Sequence, residues 1–148
     1  MQKQLQKEGY TVGHEPDSIE LSTVGGWIST NAAGMKKNRY GNIEDIVQNV
    51  TMITPSGSIN QIEPLVRSSI GIKTQSLLFG SEGNIGIITK ATLRMHKLPE
   101  CSEYESVVLK DWDTGLKFMY ELAHASSVPA SAQTRPSAPA RRFGTHPA

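Results

Sequence analysis

A single cysteine, Cys101, stands in the 148 residues. No intrachain disulfide framework can therefore staple the chain, a reducing intracellular compartment suits it, and Cys101, with no motif around it, reads as a structural or incidental thiol. No apolar run approaches the ~20 residues that span a bilayer. The opening MQKQLQKEGY lacks the apolar h-region of a secretory signal, and the closing Thr-His-Pro-Ala is not a Ser-Lys-Leu address. Neither sign of charge is in excess: 15 Lys and Arg against 14 Asp and Glu leave a net charge of +1 and a pI near 7.9. That balance gives no reason to expect a nucleic-acid partner. There is no H-x-x-x-H pair, and the one thiol has no companion, so no metal site is expected. Two cofactor signatures are missing as well. No G-x-G-x-x-G sits between a strand and a helix, and no Gly-Lys-Ser/Thr follows a glycine loop, which excludes the Rossmann fingerprint and the P-loop. The length is enough for one domain with a real core.

Two stretches stand out. The first is Asp17 to Tyr40, DSIELSTVGGWISTNAAGMKKNRY. It sets small residues (Ser22, Thr23, Gly25, Gly26, Ser29, Thr30, Ala32, Ala33, Gly34) around one large aromatic, Trp27. Small side chains let another object approach the backbone, and glycine also accepts positive φ. The hydroxyls and the Asn31 amide offer donors and acceptors to that object, and backbone N–H groups leading into a short helix suit a phosphate or a polar ring edge. A tight loop packed under a sheet explains the same composition equally well. The second stretch is Phe79 to Thr89, FGSEGNIGIIT, with Gly80, Gly83 and Gly86 three apart ahead of an isoleucine-rich strand. On its own it is a weak signal.

The rest of the chain reads as alternating short elements. Met1 to Glu8 can be a helix end that Gly9 breaks. Tyr10 to Pro16 is an extended connection, biased away from helix before Pro16. Trp27 to Gly34 reads as one short helix with Gly34 as its C-cap, and Lys36 and Lys37 just past the negative end of its dipole. Asn42 to Val47 is a helical turn or a strand lead-in. Val47 to Thr54, with Val50, Met52 and Thr54 on one face, and Ile59 to Ile62 flank a Pro55–Ser58 turn, which makes a β-hairpin. Pro64 to Thr74 is a polar loop and Gln75 to Phe79 a short helical end. Ile85 to Leu98 is expected as one strand, with Ile85, Ile87, Thr89, Ala91 and Leu93 on one face, ended by Pro99. Pro99 to Ser102 is a candidate domain boundary. Tyr104 to Leu109 then reads as a new strand, followed by a helix with Asp113 as N-cap and a core stripe of Leu116, Met119, Tyr120 and Ala123. From Ala132 onward the Pro-, Ala- and Arg-rich tail cannot bury enough surface to offset its ordering entropy, and disorder is expected.

Read together, STVGGWISTNAAG and GSEGNIGIITKATL resemble the FAD-binding domain of vanillyl-alcohol-oxidase (PCMH-type) flavoproteins. The lead-in GHEPDS and the continuation GMKKNRYGNIED make the resemblance closer to the alkyldihydroxyacetonephosphate (alkylglycerone-phosphate) synthase family. It runs from about Gly9 to about Ser131 and stops at Ala132, where the tail reads as a truncation or an altered frame. The resemblance implies an α+β fold: the second half of a PCMH-type FAD-binding domain over residues 1–99, the first strand and helix of a cap domain over 100–131, and a divergent tail over 132–148. The first pyrophosphate loop of the family would lie upstream of Met1 and its acid–base residues downstream, so the chain is expected to be a fragment, inactive alone.

The cofactor implied is FAD, and three segments carry over as contacts. Asp17, Ser18, Ile19, Glu20, Leu21, Ser22 and Thr23 would face the pyrophosphate and the flavin ring. Thr30, Asn31, Ala32 and Ala33 would allow close approach. The family often has Arg where this chain has Asn31 and Ser where it has Ala33, so backbone contacts are what carries over there. Glu82, Gly83, Asn84, Ile85, Gly86, Ile87 and Ile88 would run beside the adenosine half, with Glu82 capping the loop, meeting a ribose hydroxyl, or simply solvated. No catalytic residue is expected, and His14 reads as polar surface or a satisfied hydrogen-bonding group. Lys36 and Lys37 read as a solvated basic turn before a phosphate clamp.

The family's reaction exchanges the acyl chain of acyl-dihydroxyacetone phosphate for a fatty alcohol in ether-lipid synthesis, with the flavin N5 as a covalent trap and no net redox change. The resemblance points to a peroxisomal location and leaves room for peripheral membrane association and a homodimer. Two alternatives stay open: an FAD-linked 2-hydroxy-acid dehydrogenase or oxidase of the same fold, and a non-catalytic FAD-binding fragment.

Overall fold

A computed structural model describes residues 1–60, 69, 71, 74–125 and 128–134, with the side chains of 74 and 75 excepted. In chain order the elements are α1 (Gln2–Lys7), β1 (Tyr10–Thr11), α2 (Val24–Ser29), α3 (Lys37–Tyr40), α4 (Ile43–Ile46), β2 (Val47–Thr54), β3 (Gly57–Asn60), a 3-10 turn (Thr74–Leu77), β4 (Ile87–Leu93), β5 (His96–Lys97) and α5 (Trp112–His124). The mixed helix and strand content matches the expected α+β class.

The hairpin is present: β2 and β3 pair antiparallel, Thr51 opposite Asn60 and Thr54 opposite Gly57. β4 adds to the other side of β2, giving the order β3-β2-β4. Val50 and Met52 point from β2 into a core that also holds Trp27, Ile28, Ile43, Val47 and Leu78. α2 and α4 cover that face of the sheet. The remainder of the expected returning strand, Gln61 and Ile62, and most of the Pro64–Thr74 loop lie outside the described residues.

β4 departs from the expected single strand. It begins at Ile87, not Ile85, and the register slips by one between the Thr51–Lys90 and Met52–Ile88 pairs. This bulge puts Thr89 in excess and moves every residue before it to the opposite face. Ile88, Ala91 and Leu93 therefore pack against the core, while Ile87 is left 74% exposed. Beyond Leu93 the strand ends. His96–Lys97 forms the separate β5, which pairs with β1 through Tyr10–Lys97 and Thr11–His96. Periodicity cannot foresee a bulge, because the residue types on both sides of it are equally strand-forming.

The N-terminal region is tied down by aromatic contacts. Gly9, at φ +76, ends α1. Gly13, at φ +77, lies under the Tyr40 ring, where a Cβ would overlap the ring atoms. Tyr40 in turn meets His96 edge-on at 5.2 Å between centroids.

Beyond Pro99 two expectations fail. Residues 101–109 carry no regular secondary structure, and Val108 is 93% exposed. Tyr and Val favour strands only where a neighbouring strand accepts the pairing, and among the described residues none lies alongside. The helix is present, but its N-cap is Asp111, whose side chain accepts the Thr114 N–H at 2.8 Å. That bond to Thr114 holds the Asp111 carboxyl below the usual carboxylate range. Asp113 sits in the first turn instead. The expected core stripe is mostly uncovered: of its four residues only Met119 is half-buried, and Leu116, Tyr120 and Ala123 are exposed.

Replacing Ile28, fully buried in the core, by Ala is expected to cost about 2–5 kcal/mol of unfolding free energy in urea titrations. The pair Gly9→Ala and Gly13→Ala isolates the Tyr40 contact, since both glycines share a positive φ but only Gly13 has a neighbour within reach. Gly9→Ala is expected to cost about 1–2 kcal/mol and Gly13→Ala about 1–3 kcal/mol more. Equal losses would mean that Tyr40 moves aside freely.

Candidate functional site

The first motif stretch is built on α2. Thr23 caps it, accepting the Gly26 N–H at 3.1 Å. The helix starts at Val24 and ends at Ser29, so the expected Trp27–Gly34 helix begins three residues too late and runs five too far. Two glycines in a six-residue helix cost about 1 kcal/mol each against alanine. The cost is offset by burial of Trp27 and Ile28. Gly25 faces β4, and its Cβ position lies 3.5 Å from the Ile88 carbonyl oxygen, an ordinary contact that an alanine could make. Thr30 closes the helix and Asn31 turns the chain at φ +50. The Ala32 N–H then bonds back to the Trp27 carbonyl at 2.8 Å. An asparagine that tolerates the left-handed region, rather than Gly34, is the stop signal.

Ahead of α2, residues 17–21 form a turn. The Ser22 hydroxyl organises it, donating to the Ser18 carbonyl at 2.7 Å and accepting the Trp27 indole N–H at 2.7 Å. Asp17, Ser18, Glu20, Leu21 and Thr23 are exposed, while Ile19 packs against the core and Ser22 is half-buried. Leu21, at 94% exposed, covers nothing within the chain.

The glycine loop meets the other end of α2. The Gly80 N–H bonds to the Ile28 carbonyl at 3.2 Å and the Glu82 N–H to the Ser29 carbonyl at 2.9 Å. Of the C-terminal carbonyls, which have no partner within the helix, that of Ser29 is satisfied by the second motif and that of Ile28 is shared between the Gly80 and Asn31 N–H groups, while the Thr30 and Ala32 N–H groups take those of Gly26 and Trp27. Glu82 sits at φ +45 and Gly83 at φ +81, a conformation costly for glutamate. Gly86 passes so close to β2 that a Cβ would overlap the Ile53 carbonyl oxygen. The fold therefore brings together Thr30, Asn31, Ala32, Glu82 and Ile88 around one short helix, with Asp17–Thr23 at its opposite end. Thr30, Asn31, Ala33, Glu82, Gly83, Asn84 and Ile85 are all exposed there.

These residues fit a flat, polar-edged cofactor. Nothing lies within 4 Å of the Cβ position of Gly83, so backbone can be approached without a side chain intervening. The Ser81 hydroxyl at the base of the loop is buried and has no hydrogen-bond partner.

The basic turn divides into two roles. Lys36 is in an ion pair with Glu15 at 2.7 Å, so it is not a free phosphate ligand. Lys37 lines a cavity of about 310 Å³ shared with Asp17, Asn38, Ser131 and Gln133. Neither lysine lies past the end of a helix reaching Gly34.

His14 is the residue that the sequence reading undervalued. It is 1% exposed, not surface, and both its ring nitrogens lack a hydrogen-bond partner. Its ring lies 5.1 Å from that of Trp27, and its Nδ1 is 2.9 Å from where a Cβ on Gly34 would stand. The available signal was the pairing of two distant glycine-flanked positions, Gly13-His14 and Ala33-Gly34, which sequence spacing alone does not connect.

Comparison with known proteins gives this arrangement a context. Residues 1–63 match the FAD binding domain family. The chain is 43% identical over 131 residues to the alkyldihydroxyacetonephosphate synthase of Caenorhabditis elegans, covering 88% of this chain and 22% of that protein. It is 34% identical over 129 residues to the synthase of Dictyostelium discoideum, covering 87% and 21%. A solved structure of an alkyldihydroxyacetonephosphate synthase superposes with a TM-score of 0.61 at 40% identity, over 68% of this chain and 18% of that one. The chain thus spans about a fifth of the length of the curated relatives it matches. With its PCMH-type α+β fold and a partial match to the FAD binding domain, the chain takes FAD as its cofactor and is similar over most of its length to alkyldihydroxyacetonephosphate synthases.

Proposed function

We propose that this chain forms one wall of the FAD site of an alkyldihydroxyacetonephosphate synthase, an enzyme that replaces the acyl chain of acyl-dihydroxyacetone phosphate with a fatty alcohol. The observation that carries the reading is the junction at α2, where the exposed small residues of the first motif and the glycine loop of the second are hydrogen-bonded into one surface. The identity to synthases across most of the chain favours this reaction over hydroxy-acid oxidation.

Within the proposal, Asp17–Thr23 and Thr30–Ala33 present backbone and hydroxyl groups to the flavin and pyrophosphate. Glu82–Ile88 run along the adenosine half, where the open Gly83 and the Glu82 carboxylate meet a ribose edge. The chemistry that FAD supplies when bound is capture of the substrate carbon without net redox change. The chain's own share is orientation: backbone and hydroxyl groups held in place by the hydrogen bonds that join the glycine loop to α2. The greasy substrate makes peripheral membrane association, a peroxisomal site and a homodimer part of the same proposal. Among the described residues no helix is long and apolar enough to cross a membrane.

FAD titration by flavin fluorescence, on the 148-residue chain and on a version extended upstream through the pyrophosphate loop, tests the reading. Tight binding is expected only in the extended version, without bleaching by 2-hydroxy acids. Bleaching would move the assignment to a dehydrogenase, and no binding by either version would sink the cradle. Glu82→Gly separates binding from folding. Relief of the positive φ is expected to raise stability by about 1–2 kcal/mol, while FAD affinity in the extended chain falls. Unchanged affinity would leave the Glu82 carboxylate as a solvated group.

A further inference from the structure

The segment Gly13–Pro16 crosses the molecule as a strap and is held on four sides. Tyr40 covers Gly13. The Met35 N–H bonds to the Glu15 carbonyl at 2.8 Å. Gln2 Nε2 donates to the His14 carbonyl at 3.3 Å, and Glu15 pairs with Lys36 at 2.7 Å. The largest side chain in the strap is His14. It is enclosed by Trp27 from α2 and by Gly34 from the following turn, with neither ring nitrogen bonded to anything. A neutral imidazole leaves one donor and one acceptor nitrogen unpaired there, at the modest cost of uncharged polar groups. An imidazolium has two N–H donors that the enclosure cannot satisfy, and a buried unpaired charge is far costlier than a buried unpaired polar group.

We propose that His14 is an acid-released latch: its uncharged ring locks the Gly13–Pro16 strap onto the Gly34–Lys36 turn, and its protonation frees the strap together with the Asp17–Thr23 turn that follows it. The proposal stands independently of whether that turn meets a flavin. The charged groups around the ring set the direction. Burial lowers the His14 pKa, and Glu44 on α4 opposes the shift by favouring the cation, the burial effect being the larger. α2 brings no titratable side chain to the ring. The turn brings Lys36, already neutralised by Glu15, and that half-exposed pair is too weak a tie to hold the strap alone. A histidine whose pKa is lowered in the latched form leaves stability constant above the ordinary value of about 6.5. Stability is lost as pH falls from there toward the latched pKa, because only the released form takes up the proton.

Amide hydrogen exchange on the whole chain reads the latch. The Met35 amide, bonded to the strap, reports release, and the Met52 amide in the β2–β4 ladder reports the core. After correction for intrinsic exchange, Met35 protection is expected to fall up to about tenfold between pH 7.5 and pH 5.5 and to stay below that of Met52 at every pH, since Met52 exchanges only through global opening, which exposes the same ring and carries the same dependence. His14→Gln keeps a neutral polar side chain that cannot titrate, and is expected to abolish the pH dependence at Met35. Should that variant not fold, the His14 ring resonances of the unaltered chain decide. They must titrate below the ordinary histidine value of about 6.5 and over the interval in which Met35 loses protection. Met35 protection that does not change with pH, that equals Met52 protection in magnitude, or that falls equally in His14→Gln overturns the latch, as does an ordinary His14 titration.

Discussion

Two backbone hydrogen bonds, from the Gly80 and Glu82 amides to the Ile28 and Ser29 carbonyls, join parts of the chain about fifty residues apart. They satisfy carbonyls that a six-residue helix must leave open, and they decide where the glycine loop lies. Everything proposed for the cofactor surface depends on this junction. If α2 were a turn longer, its own residues would take up those carbonyls and the loop would have no anchor. The left-handed Asn31 that ends the helix is therefore as much a part of the site as the glycines.

The sheet behind α2 supplies rigidity at low cost in side chains. Gly86 against the Ile53 carbonyl lets loop and strand approach at backbone distance, and Gly34 leaves space for the His14 ring. Glycine at these two positions is a packing requirement before it is a binding feature, so the bland and the functional explanations hold together. The bulge in β4 serves the same geometry: it turns Ile88 inward under α2 and leaves Ile87 outside.

The strap through His14 works differently. It relies on a few contacts of one polar ring and on aromatic cover, not on a broad apolar interface. A segment fixed in this way releases at a lower free energy than the core, in line with the general pattern that binding loops come from the less stable end of a structure. The α5 region shows the opposite situation, with Trp112, Leu116 and Tyr120 exposed. Apolar periodicity specifies which face of a helix seeks cover, but not whether the cover lies in the same chain.

Local chemistry determined much of this protein from sequence alone. The helix break at Gly9, the β2–β3 hairpin around Pro55–Ser58, the inward Val50 and Met52, and the two small-residue motifs are all consequences of residues acting within a few positions of one another. What tertiary structure decided involves partners distant in the chain. It placed the end of α2 at Ser29, because the loop at Gly80–Glu82 takes its carbonyls. It split the expected 85–98 strand, because β2 and β1 accept different halves of it. It denied a strand to 104–109, because β-propensity without a neighbouring edge gives no ladder. It buried His14, because Gly34 leaves room for a ring there that no sequence spacing announces. Short-range conformational preference is written residue by residue, whereas close approach and burial are properties of pairs that only the folded chain brings together.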